Sequence, residues 1–276
     1  LLGEVTVGEF SRDYDSGRKI SGASLNADLE WDPTRLTTVN FNARRTSGDN
    51  GIVASEPYVD EAVGVDVDHE LLRNVILSAG GSTRMGTPKA LLTVNGGLTF
   101  LESLAGAFAR AGIGPIVVVT GPHHDEVRRV VDARRLTVRI VRNPDPDRGQ
   151  LSSLLCGLDA LEALAGATGD DFDGVMVTPI DAPLVSARTL TRLASEWASV
   201  GASIARPAMP DGRHGHPVIF GRSVFEALRA ADPAVGAKAV VRALGDRVLN
   251  VPVEDAGAFM DIDTPEDYAR VVRDEG

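Results

Sequence analysis

The run Leu77-Ser78-Ala79-Gly80-Gly81-Ser82-Thr83-Arg84-Met85-Gly86-Thr87-Pro88-Lys89 gathers glycine and positive charge in one short stretch. Gly80, Gly81 and Gly86 admit positive φ and close backbone approach, so amide N–H groups there can converge on phosphate oxygens. Arg84 and Lys89 place cations where a triphosphate would lie. The spacing is neither G-x-x-x-x-G-K-[ST] nor G-x-G-x-x-G, which disfavours P-loop NTPases and Rossmann dehydrogenases. The plainer alternative is a Gly-rich connecting turn with solvated basic residues.

Two acidic segments could complement that charge. Asp181 follows the apolar run Val175-Met176-Val177-Thr178 and precedes Pro183. A carboxylate at the carboxyl end of a strand faces the crevice where open α/β sheets bind ligands. Mg²⁺ characteristically takes one or two carboxylates plus phosphate oxygens. The alternative for Asp181 is capping of the helix that Ser186 begins. In Asp261-Ile262-Asp263-Thr264-Pro265-Glu266, Asp263 or Thr264 reads as a helix cap with Pro265 at the first helical position. That makes Asp263 structural and leaves Asp261 free.

Other polar residues are less diagnostic. Gly149-Gln150-Leu151-Ser152-Ser153-Leu154 opens a helix after Asn143-Pro144, suited to polar contacts or to an ordinary cap. Arg213-His214-Gly215-His216-Pro217 has His-x-His spacing, but no third ligand or cysteine lies nearby, so zinc is disfavoured. His216 is either a ligand contact or structural. His123 and His124 read as a solvated helix start. Cys156 lies on an apolar helix without a paired His and acid, and reads as core.

These residues need a scaffold. Val75–Leu77, Ile116–Thr120, Val138–Val141, Val175–Thr178 and Val218–Phe220 are short, β-branched and bounded by Gly, Pro or Asn, as buried strands are. Between them, helical patterns cover Thr99–Ala111, Asp125–Ala133, Leu151–Leu164, Ala187–Val200, Ser223–Ala230 and Ala237–Leu244. The alternation predicts a mainly parallel sheet with helices on both faces.

Residues 1–70 follow another pattern. Ala23, Leu25, Ala27, Leu29 and Trp31 alternate with Ser24, Asn26, Asp28 and Glu30, and after Asp32-Pro33-Thr34-Arg35 the alternation resumes through Val39, Phe41 and Ala43. Val63, Val65 and Val67 alternate again. This is period-2 hairpin patterning. A soluble β-rich extension and a poorly ordered acidic tail are the plain readings.

Charge divides the chain the same way. The 276 residues carry a net charge of −11, and residues 1–70, with 6 Lys and Arg against 14 Asp and Glu, hold −8 of it. So acidic a chain is a poor partner for nucleic acid. One cysteine excludes a disulfide framework and fits a reducing, cytoplasmic setting. No run of about 18 apolar residues predicts a membrane-spanning helix. No basic segment followed by an apolar one predicts a signal peptide.

The glycine-rich run matches L-[AS]-A-G-x-S-x-R-M-G-x-x-K at every defined position and so resembles the MobA-like nucleotidyltransferases. Within them it is most similar to the molybdenum cofactor cytidylyltransferases, a resemblance that continues through Tyr268. It implies a three-layer, Rossmann-like (GT-A-like) α/β fold over residues 74–276. It implies nucleotide contacts from Leu77, Ala79, Gly80, Gly81, Ser82, Lys89, Gln150 and Ser153, and catalytic roles for Arg84, Lys89 and Asp181. Asp181 and Asp261 would bind Mg²⁺. Gly215 and His216 of the Gly-His-Pro loop would line the acceptor side. Lys238 stands where the family has Arg, and the loss of a bidentate fork weakens an acceptor-phosphate role there. Residues 1–73 resemble part of a Gram-negative outer-membrane β-barrel, although three or so strands cannot close a barrel that needs about eight. A chimeric or truncated reading frame joined near Asn74 is a further alternative.

The activity so implied is transfer of a nucleotidyl group, CMP from CTP, to the terminal phosphate of molybdopterin cofactor, with release of pyrophosphate. Ala79 before Gly80 resembles the cytidylyl rather than the guanylyl branch. Guanylyl transfer and a sugar- or polyol-phosphate acceptor are the alternatives within the enzyme class. A non-catalytic chaperone that hands cofactor to a molybdenum hydroxylase is the alternative outside it. No membrane partner is expected for the transferase portion.

Overall fold

Adjacent residues of a strand point to opposite faces, and in the computed structural model each face of the larger sheet is buried. The described residues are 2–13, 19–34, 37–48, 58–69, 75–79, 87–169 and 171–273. By internal contacts the chain forms two units, Leu1–Glu70 and Leu71–Gly276.

The larger unit holds strands β5 (Val75–Ala79), β6 (Ile116–Thr120), β7 (Arg139–Arg142), β8 (Gly174–Pro179), β9 (Ile204–Ala208), β10 (Val218–Gly221) and β11 (Leu249–Pro252). Their order in the sheet is β11-β9-β10-β8-β5-β6-β7. All neighbours are parallel except β10, which runs antiparallel to both β8 and β9. Among the described residues seven α-helices accompany them: α1 (Phe100–Arg110), α2 (His124–Arg134), α3 (Gln150–Thr168), α4 (Ala187–Val200), α5 (Phe225–Ala230), α6 (Lys238–Leu244) and α7 (Pro265–Arg273).

The two faces separate residue by residue. Val75 and Leu77 join Phe100, Leu104, Leu190 and Leu193 of α1 and α4 in one core. Ile76, between them, joins Leu154, Leu158 and Leu161 of α3 and Leu228 of α5 in the other. This is the predicted mainly parallel, three-layer α/β arrangement. Among the described residues α3 alone is long and apolar enough, by length and composition, to cross a bilayer. Here it lays its buried leucines on the sheet.

Local chemistry sets the helix ends. Thr99 and Glu102 form a reciprocal capping box at α1. Ser186 caps α4 through the Thr189 amide. Thr264 caps α7, exchanging hydrogen bonds with Asp267. Asp181 and Asp263 are thus both free of the capping duty open to them in the sequence.

The smaller unit is a four-stranded antiparallel sheet of β1 (Leu2–Asp13), β2 (Lys19–Thr34), β3 (Thr37–Gly48) and β4 (Tyr58–His69), in that order. Val7 pairs with Leu25, Leu29 with Phe41, and Phe41 with Val65, so their side chains share one face. That face is open: Val7 is 72% and Val63 83% exposed.

Leu158 is fully buried between α3 and the sheet. Leu158→Ala should cost about 2–5 kcal/mol, seen as a lower urea midpoint by circular dichroism. A loss below about 0.5 kcal/mol would contradict its placement in the core.

Candidate functional site

Lys89 is 5% exposed, and burying an ammonium is costly unless carboxylates surround it. Its Nζ donates to Asp181 Oδ2 at 3.2 Å and to Asp263 Oδ1 at 2.6 Å. Burial works against the Lys89 charge, but the hydrogen bond to Asp263 and the charge of Asp181 outweigh it and hold its pKa above the usual value. Of the two caps the sequence offers for α7, Thr264 takes that place, and Asp263 is instead the shorter partner of Lys89.

Three loops bring this cluster together. The Ile262 amide donates to Asp181 O at 2.8 Å, and the His216 amide donates to Ala258 O at 2.7 Å. A short 3-10 turn, Ala256–Phe259, is pressed between the other two loops. A Cβ on Gly215 would collide with the Ala258 carbonyl, and one on Gly257 with the Leu184 carbonyl. Only glycine permits both approaches.

Asp255 fixes the outer end of the same turn. Its Oδ2 accepts from the Ser186 amide, Ser186 Oγ and Thr189 Oγ1, at 2.9, 2.8 and 2.6 Å. Its Oδ1 accepts from the Gly257 amide at 3.1 Å. The sequence does not single out this residue, because an Asp two positions before a Gly reads as an ordinary turn.

Asp261 lies beside the Lys89 cluster. Partial burial raises its carboxyl pKa, His216 opposes the rise, and the charges of Asp181 and Asp263 add to it. Burial lowers the His216 pKa, with Asp261 and Asp181 acting the other way, and its Nδ1 is buried without a hydrogen-bond partner. Among the described residues no group of three or more His, Cys, Asp or Glu could hold a metal by itself. Paired carboxylates at a sheet's edge suit a cation that also takes phosphate oxygens.

A cavity of about 620 Å³ opens at the carboxyl ends of β5 and β8. Ser78 and Pro179 mark that edge, and Gln150, Gly215, His216 and Lys238 also line it. Four of the sequence-singled residues thus converge there. Ser153 does not: it is buried and held by Asn143 Nδ2 at 3.0 Å. Leu77 is a core residue in the strand ladder, while Ala79 lies beside Lys89 at a smaller hollow. Gly80, Gly81, Ser82 and Arg84, with Gly86, lie outside the described residues.

The remaining candidates keep modest roles. His124 Nδ1 pairs with Thr120 Oγ1 at 2.6 Å at the start of α2. Burial pushes the Cys156 thiol pKa up, away from nucleophilic use. His214 bonds Arg206 and lines the same cavity as His216.

The chain belongs to the MobA-like NTP transferase domain family, whose model matches residues 74–248. A second model, beta-barrel porin 2, matches residues 1–87. A bifunctional protein GlmU of Rhodococcus jostii is 37% identical over 130 residues, 44% of this chain and 24% of that protein. A bifunctional IPC transferase and DIPP synthase of Rubrobacter xylanophilus is 36% identical over 140 residues, 49% of this chain and 30% of that protein. The chain therefore spans less than a third of the curated relatives it matches. Among solved structures, Rv0371c of Mycobacterium tuberculosis aligns at a TM-score of 0.59 with 26% identity, covering 73% of this chain and 98% of that one. Its manganese complex aligns at 0.55, also with 26% identity, covering 74% and 99%.

Bonds to Thr189, Ser186 and Gly257 hold the Asp255 carboxyl below the usual range although burial alone would raise it. A depressed carboxyl stabilises the fold above its unfolded pKa of about 3.9 and loses that contribution as pH falls through the folded value. Asp255→Asn should therefore cost about 1–3 kcal/mol at pH 7, and the gap to wild type should narrow below about pH 4. Thermal melts across that range check it, and a gap that widens in acid would contradict it.

Proposed function

We propose that residues 74–276 carry out metal-dependent nucleotidyl transfer to a phosphate-bearing acceptor. The observation that carries this reading is the buried Lys89 ammonium clasped by Asp181 and Asp263, beside a cavity that opens at the carboxyl ends of the strands. The oxygen of the acceptor's phosphate attacks the α-phosphorus of a nucleoside triphosphate, the bond from α-phosphorus to the bridging oxygen breaks, and pyrophosphate leaves. A phosphate monoester is already anionic at neutral pH, so no general base or covalent nucleophile is needed. Catalysis rests on positioning and on neutralising charge.

Lys89 supplies a fixed cation that can pass from Asp263 to a phosphate oxygen. Asp181 and Asp261 would hold Mg²⁺, which when bound offsets the charge of the triphosphate. The manganese complex of Rv0371c supports a divalent cation in this fold. The resemblance of the glycine-rich run and of Gly215-His216-Pro217 to the cytidylyltransferases supports CTP as donor and molybdopterin cofactor as acceptor. A second reading, a sugar- or polyol-phosphate acceptor, is favoured by the relatives at 37% and 36% identity, neither of which is named for a molybdopterin product. Intact Lys89, Asp181 and Asp261 favour catalysis over a chaperone role.

Pyrophosphate release with Mg²⁺ and molybdopterin cofactor should be at least about tenfold faster from CTP than from GTP or ATP. Equal rates would overturn the base assignment. Faster release with a sugar phosphate would favour the second acceptor class. Asp181→Ala should lower transfer about a hundredfold or more with an unchanged circular dichroism spectrum; full activity would remove Asp181 from the site. We also propose that residues 1–73 are dispensable for this chemistry. A 74–276 fragment that folds but loses transfer would show otherwise.

A further inference from the structure

The cavity beside the site has a charged end that the transfer chemistry leaves unused. Arg206, on β9, lines it together with Lys238 and Arg242 of α6, and the lining contains no Asp or Glu. Elsewhere on this unit arginines meet carboxylates: Arg213 meets Asp211, and Arg229 meets Asp159 and Glu162. Among the described residues none of the three cavity cations has an acidic partner.

Arg206 is the half-buried member, and it is held by neutral groups alone. Its Nε donates to Asn250 Oδ1 at 2.9 Å, and its Nη2 lies 3.0 Å from His214 Nε2. Burial and the Arg206 charge both lower the His214 pKa, which keeps that ring neutral and able to accept. Two bonds thus fix the plane of the guanidinium without compensating its charge. Aligned in this way, a guanidinium fork recognises a carboxylate or phosphate through paired hydrogen bonds.

Position sets the length of the ligand. β9 lies two strands from β8, across β10, and the carboxylate Asp181 follows β8. At about 4.8 Å per strand Arg206 lies about 10 Å to the side of β8, and its register, level with Val177 and four residues short of Asp181, adds about 13 Å along the strands. Lys238 and Arg242, one helical turn apart, share a face of α6 along the same cavity.

We infer that Arg206, supported by Lys238 and Arg242, reads a second anionic group on the acceptor, a carboxylate or phosphate at the far end from the phosphate that reacts. This rests on the transfer reading for which end of the acceptor reacts, and it specifies the acceptor class: one anion at each end. The apolar floor beside Arg206, formed by Val177 and Val218, suits the carbon framework of such a ligand.

The test is calorimetric titration of the full chain with hexane-1,6-diol bisphosphate and with hexyl phosphate, which differ by the second anion. The bisphosphate should bind about tenfold more tightly, the worth of one charge-assisted contact. Arg206→Met should bring the two ligands within about twofold of each other. Arg206→Lys, which keeps the charge and loses the fork, should fall between. Equal binding to the wild-type chain would overturn the inference, as would a preference that survives Arg206→Met. Nucleotide turnover without any bisphosphate preference would overturn this inference alone. A bisphosphate preference without pyrophosphate release from any nucleotide would overturn the transfer reading and leave the anion site standing.

Discussion

Compensation of one buried ammonium organises the site. Lys89 reaches Asp181 across 92 residues and Asp263 across 174, so a single side chain joins the segment after β5, the end of β8 and the start of α7. An unpaired ammonium at that depth would cost several kcal/mol. The loops bearing the two carboxylates must therefore arrive together. The backbone bond between Ile262 and Asp181, the close approaches permitted by Gly215 and Gly257, and the Asp255 clamp on Ser186 are the means by which they do. A triphosphate could take over the Lys89 charge without any large movement of the scaffold.

The site has two electrical ends. Asp181, Asp261 and Asp263 crowd the edge near Lys89, and under the proposed reading a divalent cation would relieve their mutual repulsion. Across β10 the charge reverses, with Arg206 held by Asn250 and His214 and facing no carboxylate among the described residues. Under the proposed reading such an arrangement would orient an elongated anionic ligand before any bond changes, the kind of catalysis a phosphate nucleophile requires. The overall charge of −11 conveys none of this, since most of it belongs to residues 1–70.

Much of the framework was legible in the sequence because its signals are local. Ile116–Thr120 and Ala187–Val200 form the predicted strand and helix without a shift of boundary, since β-branched runs and a Ser cap announce themselves. β9 and β11 were missed because Ile204-Ala205-Arg206-Pro207-Ala208 and Leu249-Asn250-Val251-Pro252 carry proline and polar residues that read as loop. Arg206 was missed with its strand. The Lys89 partnership of Asp263 is not legible locally, because Asp-Thr-Pro at a helix start is equally good for capping and for ion pairing; only the position of Lys89, far away in sequence, separates the two. The contact that Ser153 Oγ accepts from Asn143 Nδ2 is likewise not legible in its motif, which points toward a ligand.

The smaller sheet has a different logic. Its strands alternate cleanly, yet among the described residues much of the apolar face is exposed, as Val7 and Val63 record. The match of residues 1–87 to a porin model agrees with that pattern.

The most direct measurement follows a labelled phosphorus atom from the nucleotide. With nucleoside triphosphate labelled at the α-phosphate, Mg²⁺ and a phosphate-monoester acceptor, the label should appear in a new diphosphate-linked product, while label at the γ-phosphate should leave entirely in pyrophosphate. Transfer of the γ-label to the acceptor, or product formed equally well by Lys89→Met, would contradict a nucleotidyl transfer site built around Lys89.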